Sequence, residues 1–139
     1  MVDWLSFPAP SCTPDGAPLS KTSSLPPSLA RFSPLEKHII IYTGYGLYQE
    51  ILFYNTKTKS TVRKLDLVHW ATSLEIVPNS NLVVVGCKDR LVKIMDYTSG
   101  NFQDYVAHAD SVGVCRYWEG KNILFTGSGS SLALWNVKI

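Results

Sequence analysis

The chain has 139 residues, a formal net charge of +2, and 45% hydrophobic against 17% charged residues. This is enough chain for one domain with a real core, the balance of a globular rather than a disordered or fibrous protein, and too little positive charge to draw in a polyanion in bulk. No run approaches the roughly 18 to 20 apolar residues of a membrane-spanning helix, and the opening segment has an acid at Asp3 and no basic start, so it does not read as a secretory leader.

Residues 1–27 mix Pro, Ser, Thr and Ala with few evenly spaced apolar positions, and seven of the eight prolines fall before Leu35. Such a segment buries too little apolar surface to offset its ordering entropy, so a disordered lead-in is expected there. Its one apolar cluster is Trp4, Leu5 and Phe7. From Ser28 the texture changes to short β-branched and aromatic runs punctuated by Gly, Asn, Asp and Ser, the pattern of many short strands. IIIY (Ile39 to Tyr42), ILFY (Ile51 to Tyr54), LVVV (Leu82 to Val85), LVKIM (Leu91 to Met95), ILF (Ile123 to Phe125) and LALW (Leu132 to Trp135) all have strand length. No window shows sustained helical periodicity.

The strands recur in units. Each unit has an apolar strand running into a glycine (Gly44, Gly86, Gly127) and a later strand ending in a large residue plus Asn or Asp. Those endings are Tyr54-Asn55, Met95-Asp96 and Trp135-Asn136, spaced 41 and 40 residues apart, and His69 and His108 recur 39 apart, each just before a new unit. At this point the sequence resembles the WD40 repeat family. "AHADSV" from Ala107 is similar to the family's Gly-His and following turn, "LALWN" stands where the family has Trp-Asp, and "CKDRLVKIMDYTSG" places Asp89 at the family's hairpin Asp with Met95-Asp96 replacing Trp-Asp. "ARFSPLEKHIIIYTG" and "MDYTSG" also resemble the degenerate repeats of large WD-repeat proteins of centrioles and cilia.

The resemblance implies an all-β fold of β-propeller blades, about three repeats in an incomplete ring, over residues 28–139 (repeats about 28–66, 67–106 and 107–139). A blade is a twisted four-stranded antiparallel sheet packed face to face on its neighbours. Burial on both faces accounts for LVVV and IIIY being continuous apolar runs rather than alternations. The resemblance further implies a buried network of His, Ser or Thr, Asp and Trp in each blade. His108, Trp135 and either Thr126 or Ser128 would form it in the third unit, where Gly129 stands at the hairpin Asp position; His69 and Asp89 would belong to it in the second, where Met95 replaces Trp. A buried polar set is stabilising only when each donor and acceptor is satisfied, so these incomplete networks are expected to make less rigid blades than the family norm.

The repeat count falls short of a ring. Closed propellers have roughly 4 to 8 blades of about 40 to 45 residues, whereas residues 28–139 amount to under three. The last repeat stops after a third strand, where the family takes its outermost strand from the start of the ring. The chain is therefore expected to be part of a longer protein or a short isoform; self-association to complete the propeller is the alternative.

Cys12, Cys87 and Cys115 are odd in number and far apart, which suits reduced thiols in the cytoplasm and offers no zinc spacing. His108, Asp110 and Ser111 have the residue types of a hydrolytic triad but crowd one turn, whereas a triad converges from distant segments. The Gly127 to Ser131 stretch is followed by no helix that could receive a phosphate, so a hairpin turn is expected. Lys57, Lys59, Arg63 and Lys64 put four cations across a predicted outer hairpin, either a solvated edge or a basic patch for an acidic partner. Tyr45, Tyr48 and Trp70 are the loop aromatics suited to an interaction surface.

The resulting expectation is a non-enzymatic protein–protein interaction scaffold with no cofactor and no metal, binding other proteins and no membrane, cytoplasmic and in a cytoskeletal setting such as the centriole or cilium. Nucleic acid is disfavoured. Two alternatives are polyanion binding through the basic hairpin 57–64, and an enzyme using Cys87 or Cys115 as nucleophile, which burial in a strand would oppose.

Overall fold

The computed structural model describes residues 29–43 and 49–138. The expected lead-in over 1–27, and the candidate residues Tyr45 and Tyr48, lie outside them. Eleven strands and no helix are found among the described residues. β1 (Leu29–Phe32), β2 (Ile39–Thr43), β3 (Glu50–Asn55) and β4 (Ser60–Asp66) form one antiparallel meander. β5 (Ala71–Ile76), β6 (Leu82–Cys87), β7 (Leu91–Asp96) and β8 (Phe102–Val106) form a second. β9 (Val114–Trp118), β10 (Ile123–Gly127) and β11 (Leu132–Asn136) form a third, which has three strands among the described residues.

The sheets stack as blades with β1, β5 and β9 as neighbouring innermost strands, and among the described residues they do not close into a ring. Ile41, Ile51 and Phe53 of the first blade pack on Leu74, Val83, Val85 and Met95 of the second. On its other face the second blade sets Val84 and Val92 against Cys115 and Leu124 of the third. The middle strand β6 is therefore covered on both sides, with Val83, Val84 and Val85 all at most 1% exposed, which is why its sequence does not alternate. The outer strand β4 does alternate between exposed and half-buried positions, as a strand with one wet face must.

The recurring Asn or Asp at the end of the third strand shapes the next turn. Asn55 Oδ1 accepts hydrogen bonds from the Lys57 and Thr58 amides at 2.8 and 3.1 Å. Asp96 Oδ1 accepts from the Thr98 and Ser99 amides at 3.0 and 3.1 Å. Side-chain capture of amides two and three residues on is what these short polar residues do best. Each turn then closes through a residue with positive φ, Lys59 at 57° and Gly100 at 79°.

Candidate functional site

The most connected polar cluster lies inside the third blade. His108, 4% exposed, sits on the segment leading into β9 and points at β10 and the β10–β11 hairpin. Its Nε2 is 2.8 Å from Thr126 Oγ1 and its Nδ1 is 2.8 Å from Ser131 Oγ. Thr126 Oγ1 also accepts a hydrogen bond from Trp135 Nε1 at 2.8 Å. Both ring nitrogens thus face a hydroxyl, and Thr126 Oγ1 is shared between the imidazole and the indole N–H. Thr126, rather than Ser128, joins the histidine: Ser128 Oγ accepts instead from the Ser130 and Ser131 amides within the hairpin. Ser131 was not singled out by the sequence reading. The hairpin is short, with Gly127 paired to Leu132, and that brings Ser131 rather than the residue at 129 under the imidazole.

In the second blade the corresponding positions have become apolar. Val85 stands where the third blade has Thr126, Met95 where it has Trp135, and both are fully buried. What remains is His69 Nε2 at 3.8 Å from Asp89 Oδ2, with His69 largely exposed. Asp89 Oδ1 accepts from the Leu91 amide at 3.3 Å within its own turn.

A second polar thread ties the blades together along their inner strands. Glu75 on β5 lies 3.5 Å from Arg31 Nε of β1 through Oε1 and accepts the Tyr117 amide of β9 at 3.0 Å through Oε2. Thr72 and Ser73 hydroxyls both donate to Val112 O, at 2.6 and 2.9 Å, and Ser73 Oγ is 3.1 Å from Cys115 Sγ. A hollow of about 140 Å³ opens here, with Arg31, Thr72, Ser73, Cys115 and Arg116 in its wall. Burial pushes the Cys115 thiol up to about 11 although the Ser73 bond opposes it. Burial, helped by Asp89, pushes Cys87 up to about 12. Neither thiol offers a thiolate near neutral pH, the opposite of what a nucleophile needs. Among the described residues no three His, Cys, Asp or Glu side chains converge as metal ligands.

The four cations of the β3–β4 hairpin do not form one patch. Lys57, Lys59 and Lys64 are exposed. Arg63 turns inward: its Nη1 donates to Tyr97 O at 2.6 Å, and its guanidinium stacks over the Phe53 ring at 5.0 Å. Trp70 is half-buried in the loop before β5, with Lys88 Nζ 5.2 Å from the centre of its ring.

Residues 1–139 match the protein family described as WDR90, 4th beta-propeller. The chain is 38% identical over 137 residues to WD repeat-containing protein 90 of Mus musculus, covering 99% of this chain and 7% of that protein. It is 28% identical over 144 residues to Centriole proteome protein 16 of Chlamydomonas reinhardtii, covering 95% of this chain and again 7% of the relative. The chain thus spans a small fraction of the relatives it matches. Among solved structures, that of U3-55K superimposes with a TM-score of 0.73 at 15% identity, covering 84% of this chain and 38% of that one. This last likeness shows the WD40 propeller fold.

Proposed function

The chain belongs to the family of the fourth β-propeller of WDR90, and from that premise we propose that it is a non-enzymatic scaffold that presents blade-edge loops to other proteins of a centriolar or ciliary assembly. The observation that carries the reading is the stacked inner-strand architecture, in which Glu75 joins all three blades and so holds the loops between strands in fixed relation. Fixed loops on a packed frame are what a recognition surface requires. The name of the Chlamydomonas relative supports the centriolar setting. The cytoplasmic setting agrees with two free, buried thiols, Cys87 and Cys115.

Of the alternatives, the thiol nucleophile is opposed by the raised Cys87 and Cys115 values. Polyanion binding is weakened by the withdrawal of Arg63 from the basic hairpin. The test is to express the tagged chain in ciliated cells together with a centriole marker and a proximity-labelling enzyme. Signal concentrated at centrioles, with labelling lowered when Trp70 is replaced by Ala, is expected. A uniform cytoplasmic distribution with unchanged labelling would refute the centriolar assignment.

A further inference from the structure

Val68, in the loop between β4 and β5, is strained and exposed at once. The non-glycine residues with positive φ among the described residues are Gln49, Lys59, Val68, Asn79, Arg90 and Asn122. Val68, at 71°, is the β-branched one of that set, and for a branched side chain this region is an outlier rather than a tolerated turn. Yet its side chain stays outside the core, with 60% of the residue exposed. The fold does not demand the conformation. Ala107 stands before His108 in the third blade as Val68 stands before His69 in the second, and Ala107 does not take a positive φ. The strain is held from both sides. Leu67 and Ala71 are 1 and 2% exposed, the Leu67 amide donates to Gln49 O at 2.8 Å, and the Val68 amide donates to Asp66 Oδ1 at 2.8 Å. Trp70 O accepts the Lys88 amide at 2.9 Å, which fastens the loop to the turn between β6 and β7.

Strained backbone that its surroundings over-determine collects at recognition sites, and the neighbours of Val68 have the composition of a contact centre, rich in Trp and Arg. Trp70 has Lys88 Nζ 5.2 Å from the centre of its ring, and Arg90 is exposed on the adjoining turn. The two nearby carboxylates are committed within the loops. Asp66 Oδ1 holds the Val68 amide, while Asp89 Oδ1 accepts from the Leu91 amide and its Oδ2 lies 3.8 Å from His69. The charges left to meet a partner on these two loops are the cations Lys88 and Arg90. We infer that Val68, Trp70 and Arg90 form a docking surface for an extended segment of another protein, one that sets an apolar side chain on Val68 and an acidic side chain against Arg90 and Lys88. The left-handed valine is kept for that contact at a cost in stability. The inference rests on the reading of the chain as a protein-binding scaffold and makes no use of its centriolar setting.

The probe is a phage-displayed library of random linear peptides, panned on the full chain. Enriched peptides are then synthesised and titrated against the unaltered chain, Val68→Gly and Arg90→Glu by fluorescence anisotropy at low and high salt. The enriched sequences are expected to place an apolar residue beside Asp or Glu. Val68→Gly should raise the thermal midpoint by a few degrees, because glycine takes the left-handed conformation freely, and should weaken peptide binding about ten-fold. Arg90→Glu should weaken it about as much without moving the midpoint, with the loss shrinking at high salt, and a peptide with Lys in place of its acid should recover binding to that variant. A stability gain coupled to a binding loss is what a merely structural valine would not give. No apolar–acidic motif among the enriched peptides, or peptides that bind both variants as tightly as the unaltered chain, would overturn the inference. A midpoint that falls in Val68→Gly would overturn it as well. These readings are made on the isolated chain, so a uniform cytoplasmic distribution in cells would refute the centriolar assignment and leave the docking surface standing.

Discussion

Thr126 Oγ1 and Trp135 Nε1 share a 2.8 Å hydrogen bond in the third blade, and at the same register the second blade has the buried pair Val85 and Met95. Losing one partner of a buried hydrogen bond strands the other, at a cost of about 1–3 kcal/mol, whereas replacing both by apolar groups is close to neutral. The second blade is the outcome of the double exchange. In the third, Thr126→Val alone should therefore destabilise by about 2 kcal/mol, and Thr126→Val with Trp135→Met should cost clearly less than the sum of the singles. Urea denaturation of the four species would measure the coupling; simple additivity would show that the bond carries no weight.

Ser131 Oγ lies 2.8 Å from His108 Nδ1. Ser131→Ala leaves His108 Nδ1 without its hydroxyl partner, so a loss of about 1 kcal/mol is expected. Hydrogen exchange should show that loss mainly in β10 and β11. An unchanged exchange pattern would mean that water or another group takes over the contact.

The blade stack depends on Glu75. Its contact with the half-exposed Arg31 is worth under about 1 kcal/mol on general grounds, whereas its acceptance of the Tyr117 amide keeps a backbone N–H satisfied. Glu75→Gln, which keeps an acceptor oxygen, should be mild, and Glu75→Ala should cost about 1–3 kcal/mol more. Equal losses for the two variants would shift the weight to the ion pair.

The paired turns make opposite predictions at one geometry. Lys59 has φ of 57° and Gly100 has φ of 79°, each closing a turn begun by Asn55 or Asp96. Lys59→Gly removes a left-handed penalty of about 1 kcal/mol and should raise the thermal midpoint. Gly100→Ala adds that penalty and also drives a methyl to 2.5 Å from Arg63 Nη2, so it should lower the midpoint and loosen the Arg63 contact with Tyr97.

The thiols set an alkaline limit. Both are raised above 9.0, so the folded chain holds these protons more tightly than the unfolded one. Their contribution is complete below pH 9 and is lost as pH rises through about 11 for Cys115 and about 12 for Cys87. The urea midpoint should fall between pH 8.5 and pH 10.5, less steeply in Cys87→Ala. In a Cys12→Ser background a thiol reagent at pH 8 should label Cys87 and Cys115 only on unfolding, and fast labelling of either in the folded chain would contradict the burial argument.

Much of the fold was legible because burial on two faces leaves a mark in the sequence. IIIY and LVVV became the middle strands β2 and β6, and the Asn and Asp endings became side-chain-captured turns. The site was less legible, for local reasons. Arg63 read as one of four surface cations, yet an irregularity in the β3–β4 pairing beside Phe53 and Tyr54 turns it onto Phe53 and Tyr97. Ser131 was hidden by a hairpin one residue shorter than that of the second blade, which shifts what lies beneath His108. The meeting of Arg31 with Glu75 was invisible because it needs the strand register, and register is fixed by pairing rather than by composition.

The account's central claim is that three blades make one packed frame, as a scaffold must. Native-state hydrogen exchange of the whole chain tests it most directly. The account predicts that amides of β2, β6 and β10 exchange in one slow class, and that Glu75→Ala speeds all three together. Protection confined to the first two sheets, with β10 exchanging freely and Glu75→Ala without effect on it, would contradict the claim.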